Sequence, residues 1–134
     1  MYEIKFYVNG VLTSVFVDDY FPVIKGTNKL AFAHSDEDEM WVPLLEKAWA
    51  KLHGSYAATE EGIPAFAATH LTGVPTTTYY HSQQKDLDDF WELLKEVHRR
   101  KFTIIASSRG TGEEVDDEGI VAGHSYDVVS IHEV

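Results

Sequence analysis

Cysteine is absent from this chain of 134 residues. Its absence excludes disulfide bonds, zinc sites built on thiolates and a thiol nucleophile supplied by the chain itself. It says little about the cellular compartment, because chains without cysteine are compatible with both oxidising and reducing surroundings. The cytosol is therefore the default expectation.

Positive charge and long apolar runs are also scarce. The sequence has 11 Lys and Arg against 22 Asp and Glu, a net charge of -11, which repels a phosphate backbone and argues against a nucleic-acid partner. No apolar run approaches the roughly 18 residues that a membrane span needs, and the N-terminus carries no signal-peptide pattern. We expect a soluble, untargeted product with one compact core or two incomplete ones.

The first half of the sequence predicts a small sheet followed by a helix. Alternating apolar residues on both sides of Asn9-Gly10 predict a β-hairpin, because a type I′ turn needs positive φ at both central positions. Ser35 to Glu39 predict the start of a helix, with an N-cap and an acidic first turn, and Gly54 predicts its end. One face of this helix is apolar. Its residues are Trp41, Leu44, Leu45, Ala48 and Leu52.

The second half is less regular. From Gly62 to Tyr80 the pattern loosens, and we place a domain boundary near Leu71 to Gly73. Leu87 to Val97 predict an amphipathic helix, and Phe102 to Ala106 a buried strand directly after it. We expect an acidic loop from Gly110 to Gly119 and an extended stretch from Ile120 to Val129, interrupted at Gly123-His124. The predicted fold class is α+β.

Four blocks of sequence carry a resemblance to a known family. They are residues 17–22 (VDDYFP), 44–56 (LLEKAWAKLHGSY), 71–73 (LTG) and 119–126 (GIVAGHSY). In that order and at that spacing they resemble the calpain protease core, which typically shows VDD-x-x-P, LLEKAYAK-x-x-GSY, TGG and G-L-x-x-GHAYSV. The long helix block is the most specific of the four.

The resemblance implies a calcium-dependent cysteine endopeptidase that performs limited intracellular proteolysis through a Cys-His-Asn site. The papain-like core of that family has two lobes with the active site between them. This chain would hold the C-terminal part of the first lobe, residues 1–70, and the N-terminal part of the second, residues 71–134. The cysteine and the asparagine would lie in core segments outside it, so the chain alone is expected to be inactive.

Two residues are candidates for functional roles within this resemblance. His124, in the GHSY block, matches the catalytic histidine, which would activate the thiol and later protonate the leaving amine. Ser125 and Asp127 stand where the family usually has Ala and Ser, and Val74 replaces the second Gly of TGG. Without the flanking motif, a polar residue at a strand kink would be the simpler interpretation of His124.

Glu39 matches an acidic residue that binds calcium in the first lobe of the family. Calcium takes about six to eight oxygen ligands, so one carboxylate is only part of a site. An acidic first turn, favoured by the helix dipole, explains the same residue without any metal. The carboxylates of residues 113–118 and the seven histidines match no metal-ligand motif, and solvated side chains account for them better.

The expected partners are protein substrates of the intact protease, the missing core segments, and further copies of the chain bound through uncovered apolar faces. Two other functions stay open. One is a calpain-like regulatory or interaction module without catalysis, and the other is a metal-binding protein.

Overall fold

A computed structural model describes residues 1–37, 39–110, 112 and 114–133 of the chain. Two compact units are present, Met1–Thr77 and Thr78–Val134. The assignment of residues 1–70 and 71–134 to the two lobes of a protease stays a prediction. Helices and two small antiparallel sheets occur in the chain, which confirms the α+β class.

A β-hairpin opens the first unit, as predicted. Strands β1 (Tyr2–Val8) and β2 (Val11–Val17) pair antiparallel with Ile4 opposite Val15 and Phe6 opposite Thr13. The turn residues Asn9 and Gly10 have φ values of 51° and 78°, the left-handed conformation that a type I′ turn requires.

Helix α1 (Trp41–His53) begins later than the sequence indicates. It ends at Gly54, as predicted, but its N-cap is Met40 and its first turn holds no acidic side chain. The predicted start at Ser35 to Glu39 is therefore wrong, although Asp38 lies outside the described residues. The physical reason is Pro43, which is tolerated only in the first turn of a helix because its ring would clash with the carbonyl of residue 39.

The core of the first unit lies between this helix and the hairpin. Phe6 is completely buried and packs edge-on against Trp49, with ring centroids 5.6 Å apart. Its buried neighbours come from both elements. They are Val15, Val17, Leu44 and Ala48. The apolar stripe of α1 is thus partly covered within the unit, whereas Trp41 at its start remains 59% exposed.

Helix α2 (Pro64–Thr72) was not predicted. Proline occupies its first turn, and Gly73 ends it in a left-handed conformation with its N–H bonded to the carbonyl of Thr69. Both are recognised boundary signals. The helix lacks a clear amphipathic period, which is why the apolar pattern alone did not reveal it.

The second unit contains helix α3 (Leu87–Arg99), which agrees with the predicted helix. The Asp86 carboxylate caps it by accepting hydrogen bonds from the N–H groups of Asp88 (2.9 Å) and Asp89 (3.2 Å). Phe90 is the buried residue of this helix, and its ring lies 5.8 Å from that of Tyr79 and 5.2 Å from that of His81. Short 3-10 helices occur at Ala57–Thr59 and His81–Gln83.

A two-stranded ribbon completes the second unit. Strand β3 (Ile105–Ser107) pairs antiparallel with β4 (Ser125–Asp127). The prediction of a buried strand at Phe102 to Ala106 is wrong in its bounds and its burial, because all three residues of β3 are exposed. A two-stranded ribbon hides a face only where another element covers it.

Of the helices in the described part of the chain, none is long and apolar enough to cross a membrane.

Candidate catalytic-histidine site

His124 lies directly before β4 and is exposed. Gly123, with a φ of 63°, reverses the chain immediately before it. The imidazole packs edge-on against the ring of Tyr126, with centroids 5.1 Å apart and planes inclined by 72°. His124 thus lies beside an extended segment and is accessible to solvent.

Ser108, the residue directly after β3, contacts the main chain of His124. The Ser108 N–H donates to the carbonyl of His124 over 2.8 Å, and the Ser108 hydroxyl oxygen accepts from the His124 N–H over 2.9 Å. The hydroxyl also lies 2.6 Å from the carbonyl oxygen of Val121 and 3.1 Å from that of His124. Sequence reasoning missed Ser108, since no motif distinguishes it from Ser107.

Tyr126 contributes a second polar contact to the same turn. Its hydroxyl oxygen accepts a hydrogen bond from the N–H of Val121 over 2.8 Å. Val121 is therefore fixed at its N–H by Tyr126 and at its carbonyl by Ser108. Tyr126 belongs to the GHSY block, although its contact with Val121 was not predicted.

The acidic loop before this turn is a small, closed hairpin. Val115 and Val121 form an antiparallel bridge, and Ala122 N–H donates to the carbonyl of Glu114 over 2.8 Å. One oxygen of Asp116 accepts from the N–H groups of Glu118 (3.1 Å) and Ile120 (2.7 Å). The predicted carboxylates Glu114, Asp116 and Glu118 are exposed, and Glu113 lies outside the described residues.

The other members of a Cys-His-Asn site are not brought to His124 within the second unit. The sequence has no cysteine. Its asparagines belong to the first unit, where Asn9 stands in the hairpin turn and Asn28 in a loop. His124 is thus the one residue of the chain that the family resemblance assigns to such a site.

Glu39, the predicted calcium ligand, is exposed just before α1. Its Oε2 atom accepts from the indole N–H of Trp41 over 3.1 Å and from the Ser35 hydroxyl over 3.3 Å. The described residues contain no cluster of three or more His, Cys, Asp or Glu side chains arranged to hold a metal ion.

Two of the four sequence blocks meet in the first unit. The Lys47 ammonium of the helix block binds the Asp18 carboxylate of the VDDYFP block, and it also donates to the main-chain carbonyls of Asp18 and Tyr20. The hydrogen bond from Lys47, aided by the N–H of Tyr20, lowers the pKa of Asp18 below its ordinary value. These contacts join the end of β2 to α1.

Tyr56, the last residue of the helix block, packs against another aromatic side chain. Tyr56 stacks on Phe32, with ring centroids 4.1 Å apart and planes inclined by 5°. Burial, with the charge of Glu46 nearby, raises the pKa of the Tyr56 hydroxyl. The motif residues of this unit therefore have structural contacts of their own, separate from any catalytic role.

Comparison with known families decides what the four blocks mean. A profile described as calpain family cysteine protease matches residues 1–134. The chain belongs to the calpain family of cysteine proteases. The resemblance seen in the sequence is thereby confirmed over the full length of the chain.

Three curated relatives illustrate this match. The calpain-type cysteine protease DEK1 of Zea mays is 37% identical over 100% of this chain and 6% of the relative. Calpain-12 of Homo sapiens is 36% identical over 93% and 17%, respectively. Calpain-9 of Homo sapiens is 31% identical over 100% and 20%. The chain thus spans a fifth or less of the length of these calpains.

Proposed function

We propose that this chain supplies the catalytic histidine of a calpain-type, calcium-dependent cysteine endopeptidase that acts in the cytoplasm. The main support for this proposal is the location and exposure of His124. It stands in the GHSY block of a calpain-family chain, at the end of a hydrogen-bonded turn, with its imidazole exposed. An exposed ring on a fixed main chain suits a histidine that must meet a thiol from another segment.

The imidazole would act in two steps of peptide hydrolysis. A thiol of ordinary pKa, about 8.5, is mostly protonated at neutral pH, and an adjacent imidazolium favours the thiolate. After the thiolate attacks the peptide carbonyl, the same imidazolium donates its proton to the leaving amine. An asparagine accepting from the other ring nitrogen would fix the tautomer. The cysteine and the asparagine would come from other segments of a complete protease core.

Calcium dependence belongs to the same proposal. Glu39 would be one ligand in the complete first lobe, and the remaining oxygens would come from residues outside this chain. The isolated chain should then bind calcium no more tightly than about millimolar. Calorimetric titration tests this, with Glu39→Gln as the variant and Glu37→Gln as the control. A micromolar site lost in Glu39→Gln would contradict the need for further ligands.

The activity itself is tested in two forms of the protein. The isolated chain should neither react with a cysteine-directed epoxide nor cleave casein. A folded chimera of human Calpain-9, in which this chain replaces its matching segment, should regain the cysteine and asparagine that the family implies and cleave casein when calcium is added. Casein cleavage by the isolated chain, lost in His124→Ala, would overturn the proposed division of the active site.

The same chimera separates this proposal from a regulatory or interaction module without catalysis. A module of that kind would fold in the chimera and leave casein uncut at every calcium concentration. Circular dichroism of the purified chimera establishes folding before activity is scored.

A further inference from the structure

The regular main-chain pairing of β3 with β4 is interrupted at His124. Residues of β3 and β4 pair regularly as far as Ser107 opposite Ser125. At the next position the Ser108 N–H still donates to the carbonyl of His124, but the N–H of His124 donates to the Ser108 hydroxyl oxygen. A side chain here takes the place of a main-chain acceptor.

The Ser108 hydroxyl also reaches the beginning of the turn. A hydroxyl has one proton to donate and two lone pairs that accept. While it accepts from His124, its proton points toward the carbonyl oxygens of Val121 (2.6 Å) and His124 (3.1 Å). One side chain therefore joins both ends of the turn from Val121 to His124.

Tyr126, in β4, also contacts this turn. Its hydroxyl accepts from the N–H of Val121 over 2.8 Å, and its ring packs edge-to-face with the imidazole of His124, with ring centroids 5.1 Å apart. The main chain of the turn and the plane of the imidazole are thus constrained by one residue. Both Tyr126 and Val121 are partly buried, in contrast to His124.

We propose that Ser108 and Tyr126 are positioning residues that set the place and ring orientation of His124. This inference rests on the proposed function, in which the imidazole must meet a thiol from another segment. A catalytic group has to be held within about 0.5 Å of its productive geometry. An exposed histidine after a glycine turn has little packing to hold it, so the two hydroxyl contacts and the ring contact supply that restraint.

The residue types give a specific prediction. Ser108→Thr keeps a hydroxyl at the same place, whereas Ser108→Ala removes it and leaves the N–H of His124 without its partner. Tyr126→Phe keeps the ring against His124 and removes only the bond to Val121. The matched control is Ser107→Ala, which removes the neighbouring hydroxyl that contacts Ser125 and not His124.

Amide exchange and ring contacts measured by NMR on the whole chain test the positioning directly. In Ser108→Ala, exchange of the His124 amide should accelerate about ten-fold or more, and the proton contacts between the imidazole and the Tyr126 ring should weaken. Ser108→Thr and Ser107→Ala should stay within about two-fold of the parent chain. Unchanged His124 exchange in Ser108→Ala, or equal effects of the Thr and Ala variants, would overturn the proposal.

Tyr126→Phe keeps the test decisive if Ser108→Ala unfolds the ribbon. Exchange of the Val121 amide should then accelerate about ten-fold while the ring contacts with His124 persist. Unchanged Val121 exchange in a folded Tyr126→Phe chain would contradict the role of this hydroxyl.

Activity of the Calpain-9 chimera separates failure of this inference from failure of the proposed function. Ser108→Ala should lower kcat about ten-fold or more with KM nearly unchanged, and Ser108→Thr should restore it. If His124→Ala abolishes cleavage while Ser108→Ala leaves kcat intact, the positioning role is wrong. If His124→Ala leaves cleavage intact, the proposed function itself is wrong.

Discussion

The two units of the chain hold their residues in place by different means. In the first, Met1–Thr77, a hairpin and a helix enclose Phe6 completely and bury Val17 and Ala48 beside it. In the second, Thr78–Val134, Phe90 is the buried residue of α3, and the ribbon that carries His124 is exposed along β3. Apolar packing fixes the first unit, whereas hydrogen bonds to single side chains fix the turn at His124.

This difference predicts that the position of His124 is more sensitive to a single substitution than the core of the first unit is. A buried apolar core is stabilised by many contacts, each of which contributes little to the free energy of folding. A turn held by Ser108 and Tyr126 depends on a few polar atoms, so the loss of one hydroxyl removes a large share of its support.

The largest effect should come from Phe6→Ala in the first unit. Removing a completely buried phenylalanine should lower the free energy of unfolding by about 3–5 kcal/mol, because burial is lost and a cavity remains. Denaturant unfolding followed by circular dichroism measures this change. Phe16→Ala is the control, since Phe16 on the neighbouring strand is 49% exposed and its loss should cost less than about 1 kcal/mol. Equal losses in the two variants would contradict the assignment of the core.

Gly73→Ala should come next. A Cβ at this position would lie 2.8 Å from Cγ of Tyr7, and the residue has a φ of 73°. Backbone strain and this close contact together should cost about 2–4 kcal/mol. Gly26→Ala isolates the strain, because Gly26 has a φ of 81° and open space around it. Its cost should be about 1 kcal/mol, and a larger cost at Gly26 than at Gly73 would show that Tyr7 is not the obstacle.

Phe90→Ala should destabilise the second unit by less than Phe6→Ala destabilises the first. Phe90 is 8% exposed, and its neighbour Tyr79 is 48% exposed, so the surroundings can relax and water can fill part of the gap. We expect about 2 kcal/mol, read from faster amide exchange in α3. The exposed Phe102→Ala is the control. A loss as large as that of Phe6→Ala would mean that the two units are equally well packed.

Asp86→Ala should cost about 1 kcal/mol, because the N-terminal amides of α3 lose their cap. Amide exchange of Asp88 and Asp89 reports the change, and Asp86→Asn should recover most of the stability because an asparagine oxygen also accepts these bonds. If Asn behaves like Ala, the cap does not work through that oxygen.

The smallest effects should be those of pH. Hydrogen bonds from Lys47 and Tyr20 lower the pKa of Asp18, and those from Arg99 and Arg100 lower the pKa of Glu96 to about 2. A lowered folded pKa gives stability that is present above the unfolded pKa and is lost as pH falls through the folded one. Both side chains are accessible to solvent, 58% exposed for Asp18 and 40% for Glu96, so the loss of stability below about pH 4.5 should be slight and should shrink in salt.

Unfolding midpoints measured from pH 6 to pH 2 test this pair of contacts. Asp18→Asn and Glu96→Gln should each flatten the acid limb of the stability curve slightly. An acid limb that is unchanged in both variants would show that these ion pairs do not contribute.

Several elements of the fold followed from local signals in the sequence. Asn9-Gly10 predicted the hairpin, and the spacing of Leu87 to Val97 predicted α3, because turn chemistry and helical period act within a few residues. The start of α1 was misplaced since the acidic run before it was read as a first turn, although Pro43 forbids so early a start. Burial of β3 was also misjudged, because apolar composition does not show which face another element covers.

The candidate site was predictable only as far as its motif. The GHSY block indicated His124, which is exposed and lies directly before β4. Ser108 was not predictable from local sequence. Its contact with His124 arises from the pairing of β3 with β4, and the acidic loop separates these two strands along the chain. The roles of His124 and Glu39 in catalysis and calcium binding stay predictions.

Casein hydrolysis by the Calpain-9 chimera, with and without the imidazole of His124, shows whether this residue is the catalytic histidine. The folded chimera should cleave casein with calcium, and His124→Ala should reduce kcat by about a thousand-fold or more without shifting the unfolding midpoint. His132→Ala, which changes another exposed histidine of the second unit, should leave kcat unchanged. Equal kcat in the His124→Ala chimera and its parent would contradict the assignment of His124 as the catalytic histidine.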